Sequence, residues 1–174
     1  MIAKELLDPK SIVVVGASAD IHKPGGKVLK NLLESPFKGQ VYAVNPKETE
    51  VQGIKCFAKV EDLPQVDCAI LAIAAKYCPS SVDVLALQKG TKGFIIISAG
   101  FGEENAEGAA FERHIADTIN SVGGSLIGPN CTGFLNTNYC GAFDAPIPTL
   151  DPQGVDFITG SGATAVFIKE YGMS

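Results

Sequence analysis

Along this chain, short and wholly apolar runs alternate with stretches in which apolar residues recur every three or four positions. "SIVVVG" (11–16) is apolar almost throughout, as a parallel strand covered on both faces must be. The loop "ASADIHKPGG" follows it, and "KVLKNLLE" then sets Val28, Leu29, Leu32 and Leu33 on one helical stripe. "QVYAV" (40–44) predicts a second strand, stopped by Asn45 and Pro46. "VQGIKCFA" predicts a short extended excursion, and "VDCAILAI" (66–73) a third main strand. A helix is expected near Pro79, with Ser80 and Ser81 as N-terminal residues and Gly90 as its stop. "GFIIIS" (93–98) predicts a fourth strand and "SLIG" (125–128) a fifth. Between them Phe111, Ile115, Ile119 and Val122 form the apolar stripe of a helix that ends in two glycines.

Strands and helices that alternate in this way predict an α/β fold, a Rossmann-like doubly wound parallel sheet with helices on both faces. A long Pro-, Asn- and Thr-rich stretch follows the fifth strand. "GVDFITGSGATAVFIKEYGMS" then reads as a strand, a glycine turn and the opening of a helix. Residues 1–150 are therefore expected to form one domain, and residues 151–174 the truncated start of a second.

Composition narrows the classes. At 174 residues and 46% hydrophobic, the chain can bury an ordinary core. Its apolar runs end near eight residues, well short of the roughly 18 that a membrane span needs. The charged start "MIAKELLDPK" lacks a signal-peptide core. A net charge of -5 offers no electrostatic footprint for nucleic acid. Five cysteines, spread singly at 56, 68, 78, 131 and 140, do not form a disulfide framework. A soluble cytoplasmic protein with reduced thiols is the expectation, without membrane or nucleic-acid partners.

In a doubly wound sheet, ligands bind over the carboxyl ends of the strands. Those ends are "GAS" (16–18), "NPK" (45–47), "AAKY" (74–77), "SAGFG" (98–102) and "GPNC" (128–131). Four of the five are rich in small or turn-forming residues, which let a ligand approach the main chain. One such end is only a turn; five converging ends point to a nucleotide-type site. NAD would call for G-x-G-x-x-G and a later acidic residue. Here Gly16-Ala17-Ser18 is followed by no glycine until Gly25-Gly26, and Lys47 stands at the second strand end. A lysine there suits a ribose phosphate, as in NADP or coenzyme A. The P-loop pattern also fails, because Gly26-Lys27 runs into Val28. His22 lies in the first loop and His114 sits beside Glu112 and Arg113 on a helix. No metal-ligand spacing and no catalytic residue is read from the chain, and Cys131, without a neighbouring base, reads as a turn residue.

Together "IVVVGASADIHKPGGKVLKNLLESPFKGQVYAVNPK", "ILAIAAKYCPSSVDVLALQKGTKGFIIISAGF" and "LIGPNCTGFLNT" resemble the N-terminal CoA-binding domain of the NDP-forming acyl-CoA synthetases, relatives of the succinyl-CoA synthetase alpha subunit. The likeness runs from about residue 8 to 150. It implies a ligase that interconverts acyl-CoA, ADP and phosphate with free acid, CoA and ATP through a phosphohistidine. ATP, ADP and Mg would belong to an ATP-grasp domain or subunit outside this chain. By the resemblance, Gly16, Ala17 and Ser18, with Gly26 and Lys27, would face the CoA phosphates. Asn45, Pro46 and Lys47 would lie near the 3′-phosphate. Ala74, Ala75, Ser98, Ala99 and Gly100 would line the adenine and pantetheine path, and Asn130 the thiol end.

"ITGSGATAVFIKEYG" resembles the start of the family's flavodoxin-like second domain, with Gly160 in place of the usual glutamine of "SQSG". Neither His22 nor His114 matches the phosphorylated histidine, so this chain alone is expected to bind CoA without turnover. The remaining ligase parts are its expected partners, with self-association into a homo-oligomer left open. The rival readings are a stand-alone CoA-binding or sensing module, an NADP-binding reductase domain, and a parent that carries an acetyltransferase domain. The acyl group and the choice of ADP or GDP are set in other domains.

Overall fold

The first apolar run becomes β1 (Ser11–Val15), a strand with neighbours on both sides. The computed structural model describes residues 2–172. The other strands are β2 (Gln40–Val44), β3 (Glu50–Val51), β4 (Ile54–Phe57), β5 (Cys68–Leu71), β6 (Gly93–Ile96) and β7 (Ser125–Ile127). They form one sheet in the order β3–β4–β2–β1–β5–β6–β7. All neighbours are parallel except β3, which pairs antiparallel with β4 at the edge. The chain runs outward from β1 through β2 to β4 and then returns to β5 on β1's other flank. The strand order therefore reverses between β1 and β5, where a doubly wound sheet opens a crevice.

Successive strand residues alternate between two cores. Val13, Val15, Leu71, Phe94 and Ile96 pack with Val82 and Leu85 of α3 (Cys78–Gln88) and with Ile115 and Ile119 of α4 (Ala106–Ser121). Ile12, Val14, Ile70 and Ile95 meet Val28, Leu29 and Leu32 of α2 (Pro24–Glu34) on the other face. Leu33 lies at the border of that stripe and is exposed, whereas Asn31, a polar residue, is buried. Its Nδ2 donates to the carbonyls of Ala142 and Asp144, both at 2.9 Å, so the burial leaves no donor unpaired. An irregular strap after β7 completes this face. Its Tyr139 is buried and donates its hydroxyl at 2.6 Å to Leu6 of the short α1 (Lys4–Leu7).

One expectation gains detail and another needs correction. The excursion at 51–58 is a hairpin turning at Gln52-Gly53, and β4 joins β2 through Ala43↔Cys56 and Val44↔Phe57. The strand expected after Gly154 does not form. Val155 and Ile158 are 97% and 92% exposed, and among the described residues no strand pairs with this segment to supply the ladder that an extended chain needs. The glycine turn does lead into a helix, α5 (Gly162–Gly172), whose Lys169 forms an ion pair with Asp144. Among the described residues no helix is long and apolar enough to cross a membrane.

Candidate functional site

The site grows from the loop between β1 and α2. Gly16 turns the chain at φ +86, where a Cβ would overlap the carbonyl of Ala72 beyond β5. The N–H groups of Gly16 and Ala17 both donate to Val44 O, at 2.9 and 3.2 Å, and the Ala17 side chain is fully buried. Ser18 Oγ accepts the Asp20 N–H at 3.1 Å, and Asp20 Oδ1 accepts that of His22 at 2.9 Å. Helix α2 begins at Pro24 rather than Lys27, since proline already holds the helical φ and has no N–H to leave unpaired. No side chain caps this end, so the first-turn amides of Gly25 and Gly26 lack intrahelical acceptors and carry the positive end of the helix dipole.

Two side-chain amides hold this loop from the neighbouring strands. Asn45 Nδ2 donates to Ala17 O at 2.8 Å, and Gln52 Nε2 donates to Ser18 O and Gly26 O at 2.9 and 3.0 Å. Asn45 Oδ1 also accepts the Lys47 N–H at 2.9 Å, which fixes the Asn45–Lys47 turn with Pro46 and Lys47 exposed. Lys27 is half-buried on the first turn of α2.

Across the switch point, the ends of β5, β6 and β7 bound an open cleft of about 320 Å³. Pro24 closes it on the α2 side and Ala72 at its floor. Ile97, Ser98 and Ala99 follow β6, and Asn130, Cys131 and Thr132 follow β7. Phe143 from the strap and Gly162 at the start of α5 complete the wall, and no lining residue is charged. Asn130 sits at φ +54 after a cis Gly128-Pro129 bond, and its N–H donates to Ser98 O at 3.0 Å. Cys131 Sγ donates to Ile96 O at 3.3 Å, and burial pushes its thiol above the ordinary range.

Of the residues singled out in the sequence, Ser98, Ala99, Asn130 and Cys131 line the cleft. Gly16, Ala17, Ser18, Gly26 and Lys27 form or flank the uncapped start of α2, and Asn45, Pro46 and Lys47 adjoin it beyond β2. Ala74 is exposed and Ala75 buried in the turn leading to α3. Gly100 stands apart: its N–H and that of Phe101 donate to the Glu103 carboxylate at 2.7 and 3.1 Å, and the Gly100 bond foremost holds that carboxyl below its usual range. His114 lies away from the cleft, 2.9 Å from Asp83 of α3. Among the described residues no cluster of three metal-ligating side chains occurs.

The sequence reading missed Pro24, Ala72, Ile97, Thr132, Phe143 and Gly162 of the wall. Ala72 and Ile97 were readable, because each directly follows the last residue of a strand. Thr132, Phe143 and Gly162 left no such signal, since the folding back of the strap and of α5 places them there.

A CoA binding domain model matches residues 10–137. Acetate–CoA ligase (ADP-forming) II of Archaeoglobus fulgidus is 42% identical over 135 residues, which cover 77% of this chain and 20% of that protein. The alpha subunit of the corresponding Pyrococcus furiosus ligase II is 40% identical over 158 residues, covering 90% of this chain and 34% of the subunit. Among solved structures, the dinucleotide-forming acetyl-coenzyme A synthetase 1 of Ca. Korarchaeum cryptofilum, in complex with phosphate and ADP, superposes with a TM-score of 0.80 at 32% identity. That match covers 98% of this chain and 36% of the synthetase. The chain thus spans about a fifth to a third of the length of the curated relatives it matches.

Proposed function

The chain belongs to the CoA-binding domain family, and on that premise we propose that it is the coenzyme A-holding part of an ADP-forming acyl-CoA ligase. The observation that carries the proposal is the uncharged cleft over the ends of β5, β6 and β7, beside the β1/β5 switch point, with Pro24 of the uncapped start of α2 in its wall. The residues fit CoA in two ways. The Gly25 and Gly26 amides offer N–H donors and a positive dipole end to phosphate, with Lys27 close in sequence and Lys47 exposed nearby. The cleft, walled by Ala72, Ile97, Ala99 and Phe143, suits the long, uncharged pantetheine arm.

When bound, CoA supplies a thiol that takes up an acyl group. This chain's own residues bind and orient. Gly25, Gly26 and Lys27 hold the pyrophosphate, and Lys47 neutralises the 3′-phosphate. Ala74, Ala75, Ser98 and Ala99 guide the adenine and pantetheine path, and Asn130 fixes the thiol end. Fixing a flexible ligand before reaction removes an entropic part of the barrier. The chain binds without turning over by itself. Residues 151–172 open a second, flavodoxin-like domain, a reading supported by the uncovered Val155, Ile158 and Phe167. The remaining ligase domains bring ATP, ADP and Mg, and the whole works in the cytoplasm.

Calorimetric titration with CoA and with NADP tests the reading. Saturable CoA binding with NADP silent is the expected result. NADP binding without CoA binding would overturn it.

A further inference from the structure

We infer that Gln52 is a positioning residue that shapes the loop between β1 and α2 for an anionic ligand; the ligand, though not the positioning, rests on the CoA reading above. Gln52 is one of two non-glycine residues at positive φ among the described residues, at φ +51, and it sits at the tip of the edge hairpin β3–β4. A side chain there carries a backbone penalty that asparagine or glycine would lessen. What glutamine adds is reach. Its Nε2 donates at 2.9 Å to Ser18 O and at 3.0 Å to Gly26 O, and so joins the loop's first residues to the first turn of α2. Both partners are carbonyl oxygens, so the amide nitrogen must face them and the orientation of the amide is settled by chemistry.

The hairpin itself does not need this clamp. Val51 is buried in the core, Cys56 N donates to Thr49 O at 2.9 Å, and β4 is paired with β2. The loop has far less of its own, since residues 19–24 are exposed. Gln52 shares this anchoring with Asn45. With Asn45 on Ala17 O, the two amides occupy the successive carbonyls of Ala17 and Ser18 as well as that of Gly26. Those carbonyls are the negative ends of the local peptide dipoles. The clamp thus fixes the loop's first residues against the start of α2, whose Gly25 and Gly26 N–H groups carry the positive end of the helix dipole.

The test uses Gln52→Asn and Gln52→Gly, both suited to positive φ and both too short to reach the two carbonyls. Amide hydrogen exchange of residues 17–27 is read without ligand, alongside the melting temperature. Exchange in the loop should rise roughly tenfold, as expected for losing two hydrogen bonds, while the melting temperature falls by only a few degrees, because easing the positive φ offsets part of that loss. Affinity should fall by a similar factor for CoA and for dephospho-CoA alike, because the loop serves the pyrophosphate and not the 3′-phosphate. Unchanged loop exchange in both variants would overturn the inference, whatever CoA does. A wild-type protein that ignores CoA would instead overturn the ligase reading, and loop exchange would still decide whether Gln52 positions the loop.

Discussion

The side-chain amide of Asn45 donates to the carbonyl of Ala17 at 2.8 Å while its oxygen receives the Lys47 N–H at 2.9 Å, so one residue ties the end of β2 to the end of β1. The two halves of that role are separable. Asn45→Asp keeps the acceptor for Lys47 but sets a carboxylate oxygen against the Ala17 carbonyl. Asn45→Ala removes both bonds. Each variant should lose about 1–3 kcal/mol, the usual cost of breaking a partly buried hydrogen bond and stranding its partner. Urea unfolding measures the loss. CoA affinity should fall in both, because the strand end that carries Lys47 is no longer fixed to the loop.

Gly25 makes a second prediction. It stands second in α2, so close to the preceding loop that a Cβ would overlap the Gly16 carbonyl oxygen. That neighbour is main chain, so nothing flexible can move aside. Gly25→Ala should destabilise by about 1–3 kcal/mol through forced backbone shifts, although alanine favours helices elsewhere. For a chain of this size the melting temperature drops by roughly 2–4 °C per kcal/mol. Gly53→Ala, at a hairpin position with open space around the Cβ but φ +79, gives the comparison for strain without overlap.

Both glycines bear on how far the sequence was readable. Strands β1, β2, β5 and β6 were legible because burial on both faces demands continuous apolar runs. The strand ends follow from them, which is why Ser98 and Ala99 could be picked out before the cleft was seen, and Asn130 was reached in the same way from the short run that forms β7. The β3–β4 hairpin was not legible. Its strands are two and four residues long, too short for alternation to show, and β4 pairs with β2 through only two registered positions. Gln52 was therefore passed over. Phe143 entered the wall through the long-range bonds of Asn31 to Ala142 O and Asp144 O, which no local pattern encodes. The apolar run after Gly154 shows the converse: a strand-like pattern stays a loop when no edge receives it.

Lys47 separates the adenosine end of the ligand from the rest. It is exposed beyond β2, and its backbone, not its side chain, is held by Asn45. Lys47→Ala should leave the fold intact and reduce CoA affinity by roughly three- to tenfold, the scale of a solvent-screened charge contact. Dephospho-CoA should bind both proteins equally. Calorimetry at low and raised salt checks this. Equal losses for CoA and dephospho-CoA would move the lysine away from the 3′-phosphate.

The buried thiols predict how stability responds to alkali. Burial pushes Cys68 and Cys78 from 9.0 to about 12, and it raises Cys131 and Cys140 as well. Desolvation penalises the thiolate, so in this range the folded protein holds its thiol protons more tightly than the unfolded chain. Where the folded state binds more protons, stability falls as pH rises. The stabilisation from these two cysteines is thus complete below about pH 9 and is lost progressively toward pH 12. Urea midpoints measured from pH 7 to pH 11 should stay level at first and then decline. Cys78→Ala should flatten that decline while lowering the plateau, because it removes the titrating group and leaves a small void beside Val82. The same burial should keep Cys68 and Cys78 unreactive toward a thiol-disulfide reagent at pH 8 until urea unfolds the chain. Labelling of both in the native protein would show that the core opens far more readily than its packing implies.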